Sequence, residues 1–440
     1  TIDTAGRLPT PEETQKFLSD QDPARRDKWI DFLLDSPEYA DYFANKWSAL
    51  LRNKTGAILV AVQVALTLAV VVNSTYIIMQ RIEKIGRPTG LDESNIFMVN
   101  TLSYAQDFPA EASIRADLTY LNGLPGVVAA TSINAIPLSG GGSSTSYFTE
   151  PGEKGEKAPG NYFEVTERGI DALGVRLIRG RGFSAAIIKP PAKLNSDFVP
   201  EVVMTQAIAK QLFPDKDALG QTVYDNLGRP ARIVGIIDQM HGSWLDWDKV
   251  GNVVLHPVTA CCNGISYLVR AKPGERDRLM RMAEERLALT SGRVIVSVRT
   301  LDFYKAMSYS SDRGMAIFLS IVVVLLVAIA ALGIFGLATF SVQSRTKQIG
   351  TRRAIGARRA HIVQYFLVEN WLITTSGILG GCILALAVGY WLSTRFELPR
   401  LDLYYLVGGV LGLWLVGQLA TLLPARRAAR VSPAVATRTV

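Results

Sequence analysis

Four long apolar runs, at about residues 57–78, 315–340, 361–392 and 403–423, set the terms for this chain. Each reaches or exceeds the roughly 20 residues with which an α-helix crosses a bilayer. The composition agrees: 48% of the residues are hydrophobic and the mean hydropathy is +0.19, too apolar for an ordinary soluble enzyme. A signal peptide is not the reading of the first run, because about 55 residues precede it and no small-residue cleavage site follows. Transmembrane helices are therefore placed at 57–80, 315–340, 362–392 and 401–423, with a long insertion at 81–313 between the first two.

The charge distribution orients them. Of the net charge of +8, segment 343–361 carries +6 and segment 424–440 carries +4, whereas the long insertion carries +1 and residues 1–56 carry −2. Short Lys/Arg-rich loops stay on the cytoplasmic side. Both termini and 343–361 are thus expected in the cytoplasm, with 81–313 and the short 393–402 turn outside. The basic stretch lies against the bilayer and lacks interleaved aromatics, which argues against nucleic acid as its partner. The three cysteines, Cys261, Cys262 and Cys382, imply no disulfide framework, since a vicinal pair closes poorly on itself and the third lies in a span.

Residues 1–54 read as three short helices opened by Thr10-Pro11 with Glu13, Asp22-Pro23, and Ser36-Pro37 with Glu38. Phe17, Leu18, Trp29, Ile30, Leu33, Leu34, Tyr39, Phe43 and Trp47 are expected to share a small core. The stretch resembles a helical domain of unknown function from large exported bacterial proteins that often carry cytochrome c modules. Such a domain belongs outside the cytoplasm, so a gene fusion or an assembly artefact is expected near residues 51–54. No C-x-x-C-H haem attachment motif accompanies it.

The insertion alternates strand-like runs (NIFMVN, VVAATSI, EVVMT, ARIVGIID, NVVLHPV, ISYLVRA, VIVSVRT) with helix-like ones at 110–121, 205–212 and 274–289. PLSGGGSS and EPGEKGEKAPGN punctuate it as loops. An α+β domain outside the membrane follows, large enough for a core of its own.

Within this frame the strings at 161–184 and 202–241 resemble the outer domain of MacB-like ABC-transporter permeases. SRTKQIGTRRAIGARRAHIVQYFLVE, at 344–369, resembles the cytoplasmic coupling segment of the FtsX-like permease domain, and LLPARRAARVSPAVATRTV, at 422–440, is similar to that domain's tail. Family members commonly have Glu at the position of Gln348 and an aliphatic residue at that of Thr351. The resemblance, over about residues 52–440, implies the permease subunit of an ABC transporter in a bacterial inner membrane. It also implies a separate ATPase subunit that binds the ATP, a homodimer or paired permease and, outside, an adaptor protein. The ATPase-coupling residues it implies are Ile349, Arg352, Arg353, Ala354, Ile355, Gly356, Ala357, Arg358 and Glu369. Ile349, Ala354, Ile355 and Ala357 would form a small apolar ridge on a short amphipathic helix, while Arg345, Lys347, Arg352, Arg353, Arg358 and Arg359 would reach membrane lipid headgroups or an acidic groove.

Catalysis by the chain itself finds no support. No G-x-x-x-x-G-K-[ST] phosphate loop occurs in the sequence, and PLSGGGSS is not followed by the lysine and helix start that a phosphate cradle needs. Asp238, His241, Asp246, Asp248 and His256 match no metal-ligand spacing and read as loop residues, so no metal and no cofactor are assigned. The spans hold few polar groups, chiefly Gln63, Asn73, Glu369, Asn370 and Gln418, which argues against a hydrophilic conduit. Glu369 is read mainly as a structural partner for a coupling-segment arginine. Gly377 with Gly381, and Gly408 with Gly412, have the spacing for close helix approach, within the chain or between copies. The function that the resemblance implies is mechanotransmission, in which ATP hydrolysis by the partner moves the outer domain to export or extract a substrate. The rival is an FtsX-like signalling or structural protein that regulates outer partners without transport.

Overall fold

The structure is a computed structural model and describes residues 8–42, 54–105, 107–190, 199–260, 264–396 and 401–431. Two compact units divide it, one of residues 1–82 with 315–440 and one of residues 83–314.

The chain begins with α1 (Pro11–Ser19), held by the expected capping box: the Glu13 amide donates to Thr10 Oγ1 at 3.2 Å and the Thr10 amide donates to Glu13 Oε2 at 2.8 Å. Helix α2 (Arg25–Leu34) starts later than the Asp22-Pro23 signal, because the Asp22 carboxylate caps a preceding turn through the Ala24 amide at 2.8 Å. The shared core does not form as expected. Leu33 is buried, but Leu18 and Leu34 are 69% and 42% exposed, and the contacts between the two helices include Phe17 edge to face with Trp29 and the Arg25 guanidinium over the Phe17 ring. Phe43 and Trp47 lie outside the described residues.

Helix α3 (Lys54–Gly86) is the first apolar span. The outer domain follows as β1 (Ile96–Ser103), α4 (Ala110–Gly123), β2 (Val127–Ile133), β3 (Ser143–Glu150), β4 (Lys154–Val165), α5 (Gly169–Leu173), β5 (Leu177–Gly180) and β6 (Glu201–Thr205). It continues with α6 (Gln206–Leu212), β7 (Thr222–Tyr224), β8 (Pro230–Ile237), β9 (Val253–Pro257), β10 (Gly264–Ala271), α7 (Arg276–Ala288), β11 (Arg293–Thr300) and α8 (Leu301–Ser308).

The strands form one mixed sheet in the order β11-β1-β10-β2-β4-β3-β7-β8-β6-β9, and a parallel pairing of β9 with β4 turns its far half back on itself. Three cores fill it. Phe97, Val99, Tyr267 and Val269 pack under α4 and α7. Tyr147, Val202, Met204 and Ile233 pack under α6. Met98, Phe163, Leu255 and Leu268 join the two halves.

One loop reading is corrected. EPGEKGEKAPGN is the tip of the β3–β4 hairpin and most of β4. Its glycines and lysines hide the strand, yet they suit it: Gly152 and Gly155 take the positive φ of the turn. A Cβ on Gly160 would stand 2.9 Å from Ile208 Cδ1.

Helices α9 (Ser310–Ser344), α10 (Thr346–Ala354), α11 (Arg359–Phe396) and α12 (Leu403–Ala428) complete the chain. With α3, helices α9, α11 and α12 are the four that are long and apolar enough to cross a membrane. Val64, Leu68 and Val72 of α3, Ile334 of α9, Ile378 and Ala385 of α11 and Leu413 of α12 make their shared core. Many remaining apolar side chains point outward, among them Ile321, Val324, Leu325 and Leu332 of α9, as lipid-facing surfaces require.

Candidate coupling site

Helix α10 is joined to the end of the bundle by packing. Ile349 is 4% exposed and sits among Ile362 and Phe366 of α11 and Ala425, Ala428 and Ala429 at the end of α12. The alanines allow this approach because they bring three helices together without long side chains between them. Polar contacts fix the same corner. Arg345 Nη1 donates to Glu369 Oε2 at 2.8 Å and to the Tyr365 hydroxyl at 3.0 Å. The Arg352 guanidinium lies 5.4 Å from the centre of the Tyr365 ring and donates to the Tyr42 hydroxyl at 3.2 Å. Arg353 Nη1 donates to the Val431 carbonyl at 2.5 Å.

The chain then reverses. The Gly356 amide donates to the Arg353 carbonyl at 3.1 Å and the Ala357 amide to the Arg352 carbonyl at 3.0 Å, with Gly356 at φ +103°. This left-handed position closes α10 and satisfies carbonyls that its C-terminus would otherwise leave open.

The nine residues expected to couple therefore divide by position. Ile349 turns inward, against α11 and the end of α12, so it does not stand in one exposed ridge with Ala354 and Ile355. Glu369 is held by Arg345, and Arg352, Arg353 and Ala357 are half-buried. Ala354, Ile355, Gly356 and Arg358 are exposed and stand together at the tip, where Ile355 shows 52% of its surface. An exposed isoleucine flanked by an alanine and a glycine is an apolar knuckle, low enough for another backbone to approach. The base residues Ile362, Tyr365, Phe366, Ala425 and Ala428 were not singled out from sequence. The spacing of Ile362 with Phe366 and the alanine repeat in PARRAAR are the signals that mark them.

The polar residues of the spans mostly serve helix packing. Gln63 Nε2 donates to the Ile329 carbonyl at 3.0 Å, Asn73 Nδ2 to the Ala385 carbonyl at 3.1 Å, and Asn370 Nδ2 to the Gly417 carbonyl at 3.0 Å. In the outer domain, Asp238 pairs with Arg176, Asp246 with Lys84, and Tyr147 contacts His256 at 2.9 Å. Among the described residues no group of three or more His, Cys, Asp or Glu is placed to hold a metal.

Four apolar helices, with a β-rich domain inserted after the first, define a multi-pass membrane protein of the permease class. The chain belongs to the MacB-like periplasmic core domain family, whose model matches residues 57–285, and it continues into an FtsX-like permease C-terminal domain matched over residues 320–433. Residues 1–62 match a further family, described as a protein of unknown function (DUF1549).

Among curated proteins, the chain is 26% identical over 309 residues to the macrolide export ATP-binding/permease protein MacB of Neisseria gonorrhoeae, covering 68% of this chain and 46% of that one. It is 31% identical over 262 residues to the protein of the same name from Campylobacter jejuni, covering 54% and 40%. The match thus spans about half the length of these relatives or less. A solved structure, the periplasmic region of MacB from Actinobacillus actinomycetemcomitans, is 16% identical with a TM-score of 0.31, over 50% of this chain and 94% of that one.

Proposed function

We propose that the chain is the membrane-spanning part of an ABC transporter and converts ATP hydrolysis, carried out on a partner ATPase subunit, into movement of its outer domain. The observation that carries this reading is the exposed knuckle Ala354–Ile355–Gly356. It stands on a base fixed by Ile349, Phe366, Ala425 and the Arg345–Glu369 pair. A displaced knuckle would move the ends of α9, α11 and α12 with it, because packed side chains transmit strain instead of absorbing it.

The charge asymmetry supports an orientation with both termini and α10 in the cytoplasm and residues 81–313 outside, in the inner membrane of a bacterium. The chain would act as a homodimer or paired permease, with an outer adaptor protein. The cargo would be a lipoprotein, peptide or amphipathic small molecule, since the polar groups of the spans are largely occupied by neighbouring helices.

Ile355→Asp tests the reading. It leaves every basic residue in place, so insertion and topology are maintained, while a carboxylate is forced into an apolar contact. The variant is expected to reach the membrane at the normal level and to lose the partner ATPase about tenfold more readily in detergent, which corresponds to about 1.4 kcal/mol. Undiminished ATPase retention together with full ATPase stimulation would reject docking through the knuckle.

A further inference from the structure

The segment HGSWLDWDK, residues 241–249, is a built platform and not a slack loop. The Gly242 amide donates to the Val250 carbonyl at 2.8 Å, closing the segment at its neck. The Leu138 amide donates to the Gly242 carbonyl at 3.2 Å and the Gly140 amide to the Ser243 carbonyl at 2.9 Å, tying it to PLSGGGSS. Leu245 and Val250 are buried in the central core of the domain.

Trp244 and Trp247 are not part of that core. They meet edge to face at 6.3 Å, both half-buried, and neither indole N–H has a hydrogen-bond partner among the described residues. A tryptophan pair with an apolar body and two unused donors is chemically suited to a boundary between hydrocarbon and polar headgroups.

The position of the platform agrees. Asp246, between the two tryptophans, pairs with Lys84, and Lys84 Nζ also pairs with Asp312 Oδ2 at 3.2 Å. Lys84 lies six residues beyond Ile78 on α3, and Asp312 lies three residues before Met315 on α9. At 1.5 Å per residue these are about 9 Å and about 4.5 Å past the ends of the apolar runs. A headgroup layer is about 5–8 Å thick on each side of the hydrocarbon. Asp312 thus falls within that layer and the Lys84 backbone just beyond its outer edge, and the long Lys84 side chain, paired with Asp312 at 3.2 Å, carries its ammonium back to the same depth.

We propose that Trp244 and Trp247 anchor the base of the outer domain in the headgroup layer of the adjacent leaflet, their indole N–H groups donating to lipid phosphate or ester oxygens. The Asp246–Lys84–Asp312 cluster sets the depth of the anchor. The inference rests on the multi-pass membrane reading and is independent of ATPase docking.

The test uses the full chain in phosphatidylcholine nanodiscs, with Trp29, Trp47, Trp371, Trp391 and Trp414 replaced by Phe so that only Trp244 and Trp247 emit. Nitroxides attached to lipid headgroups are expected to quench this emission strongly, and nitroxides near the chain ends weakly. Quenching by aqueous acrylamide with no loss to either lipid probe would overturn the proposal, as would protection from all three quenchers, which would mean that protein covers the pair. Stronger quenching by the deep probe than by the headgroup probe would overturn it too. Should the five-fold variant misfold, Trp247→Cys carrying a small fluorophore gives the same readout in a chain with Cys261, Cys262 and Cys382 replaced by Ser.

Discussion

Arg345 and Glu369 are joined at 2.8 Å across the corner where α9 gives way to α10, with side chains 22% and 17% exposed. The pair links the residue that precedes α10 to the long span that follows it. Glu369→Ala removes the counter-ion and leaves Arg345 with the Tyr365 hydroxyl. The expected cost is about 1–2 kcal/mol, low in the range for a charged hydrogen bond because the site is partly solvated. Arg345→Ala should cost a similar amount, and the double variant little more than either, since both remove one shared interaction. Thermal midpoints of the purified chain in detergent check this, and fully additive losses would show that the pair does not act as a unit.

A more deeply buried pair lies in the outer domain. Arg293 has no exposed side-chain surface and donates through both terminal nitrogens to Asp117, which also accepts from the Tyr267 hydroxyl at 2.5 Å. Asp117→Ala leaves a buried guanidinium uncompensated, so a loss of about 3–5 kcal/mol is expected. Arg293 sits on the edge strand β11, against α4, and its release should loosen that side of the domain first. Hydrogen exchange is the measurement: protection of β11 and α4 should fall well before that of β6 and β8. Uniform loss across the domain would contradict it.

The four spans and the inserted domain were legible because they rest on the strongest signals a sequence carries, apolar length and charge asymmetry. The capping box at Thr10 was legible for a similar reason, since its residues act on each other within one turn. What failed was tertiary. Leu18 and Leu34 have the spacing of core residues but stay largely exposed among the described residues, because a short helical segment buries little on its own. Ile349 reads as an exposed ridge residue until α12 brings Ala425 and Ala428 beside it, more than 70 residues along the chain. The β4 strand was hidden by its glycines, of which Gly160 is required by Ile208 on another element.

Titration of the outer domain follows from His256, which is stacked on Tyr162 at 5.0 Å and shut away from water. Burial holds its pKa down to about 3 and pushes that of Tyr147 well above the usual phenol range. The 2.9 Å contact of the Tyr147 hydroxyl with Nε2 thus joins a protonated phenol to a neutral imidazole. In the unfolded chain the histidine titrates near 6.5. Above that pH both states are neutral and the full stability is present; as pH falls from about 6.5 toward 3 the unfolded state binds the extra proton and stability is lost. The slope is about 1.4 kcal/mol per pH unit from this group. Urea midpoints measured between pH 7 and pH 5 should fall accordingly, and His256→Gln should flatten the dependence. An unchanged slope in that variant would assign the effect elsewhere.

The glycine pairs of the spans have different surroundings, and the difference is testable. A Cβ on Gly377 would lie 2.6 Å from the Ala61 carbonyl oxygen, and one on Gly381 would lie 2.9 Å from Leu68 Cβ. This pair lets α11 close against α3 inside one chain. Among the described residues, a Cβ on Gly408 or Gly412 would meet nothing within 4 Å. Alanine at Gly377 must push backbone aside, and overpacking of this kind costs about 1–3 kcal/mol. Alanine at Gly408 gains helix propensity without a clash within the chain, so the monomer's stability should hold or rise by about 1 kcal/mol. Thermal unfolding in detergent should therefore separate Gly377→Ala from Gly408→Ala by several degrees. Cross-linking yield in native membranes adds a second readout: if Gly408→Ala unfolds normally but loses dimer cross-links, that face meets another copy, whereas unchanged cross-links leave it facing lipid.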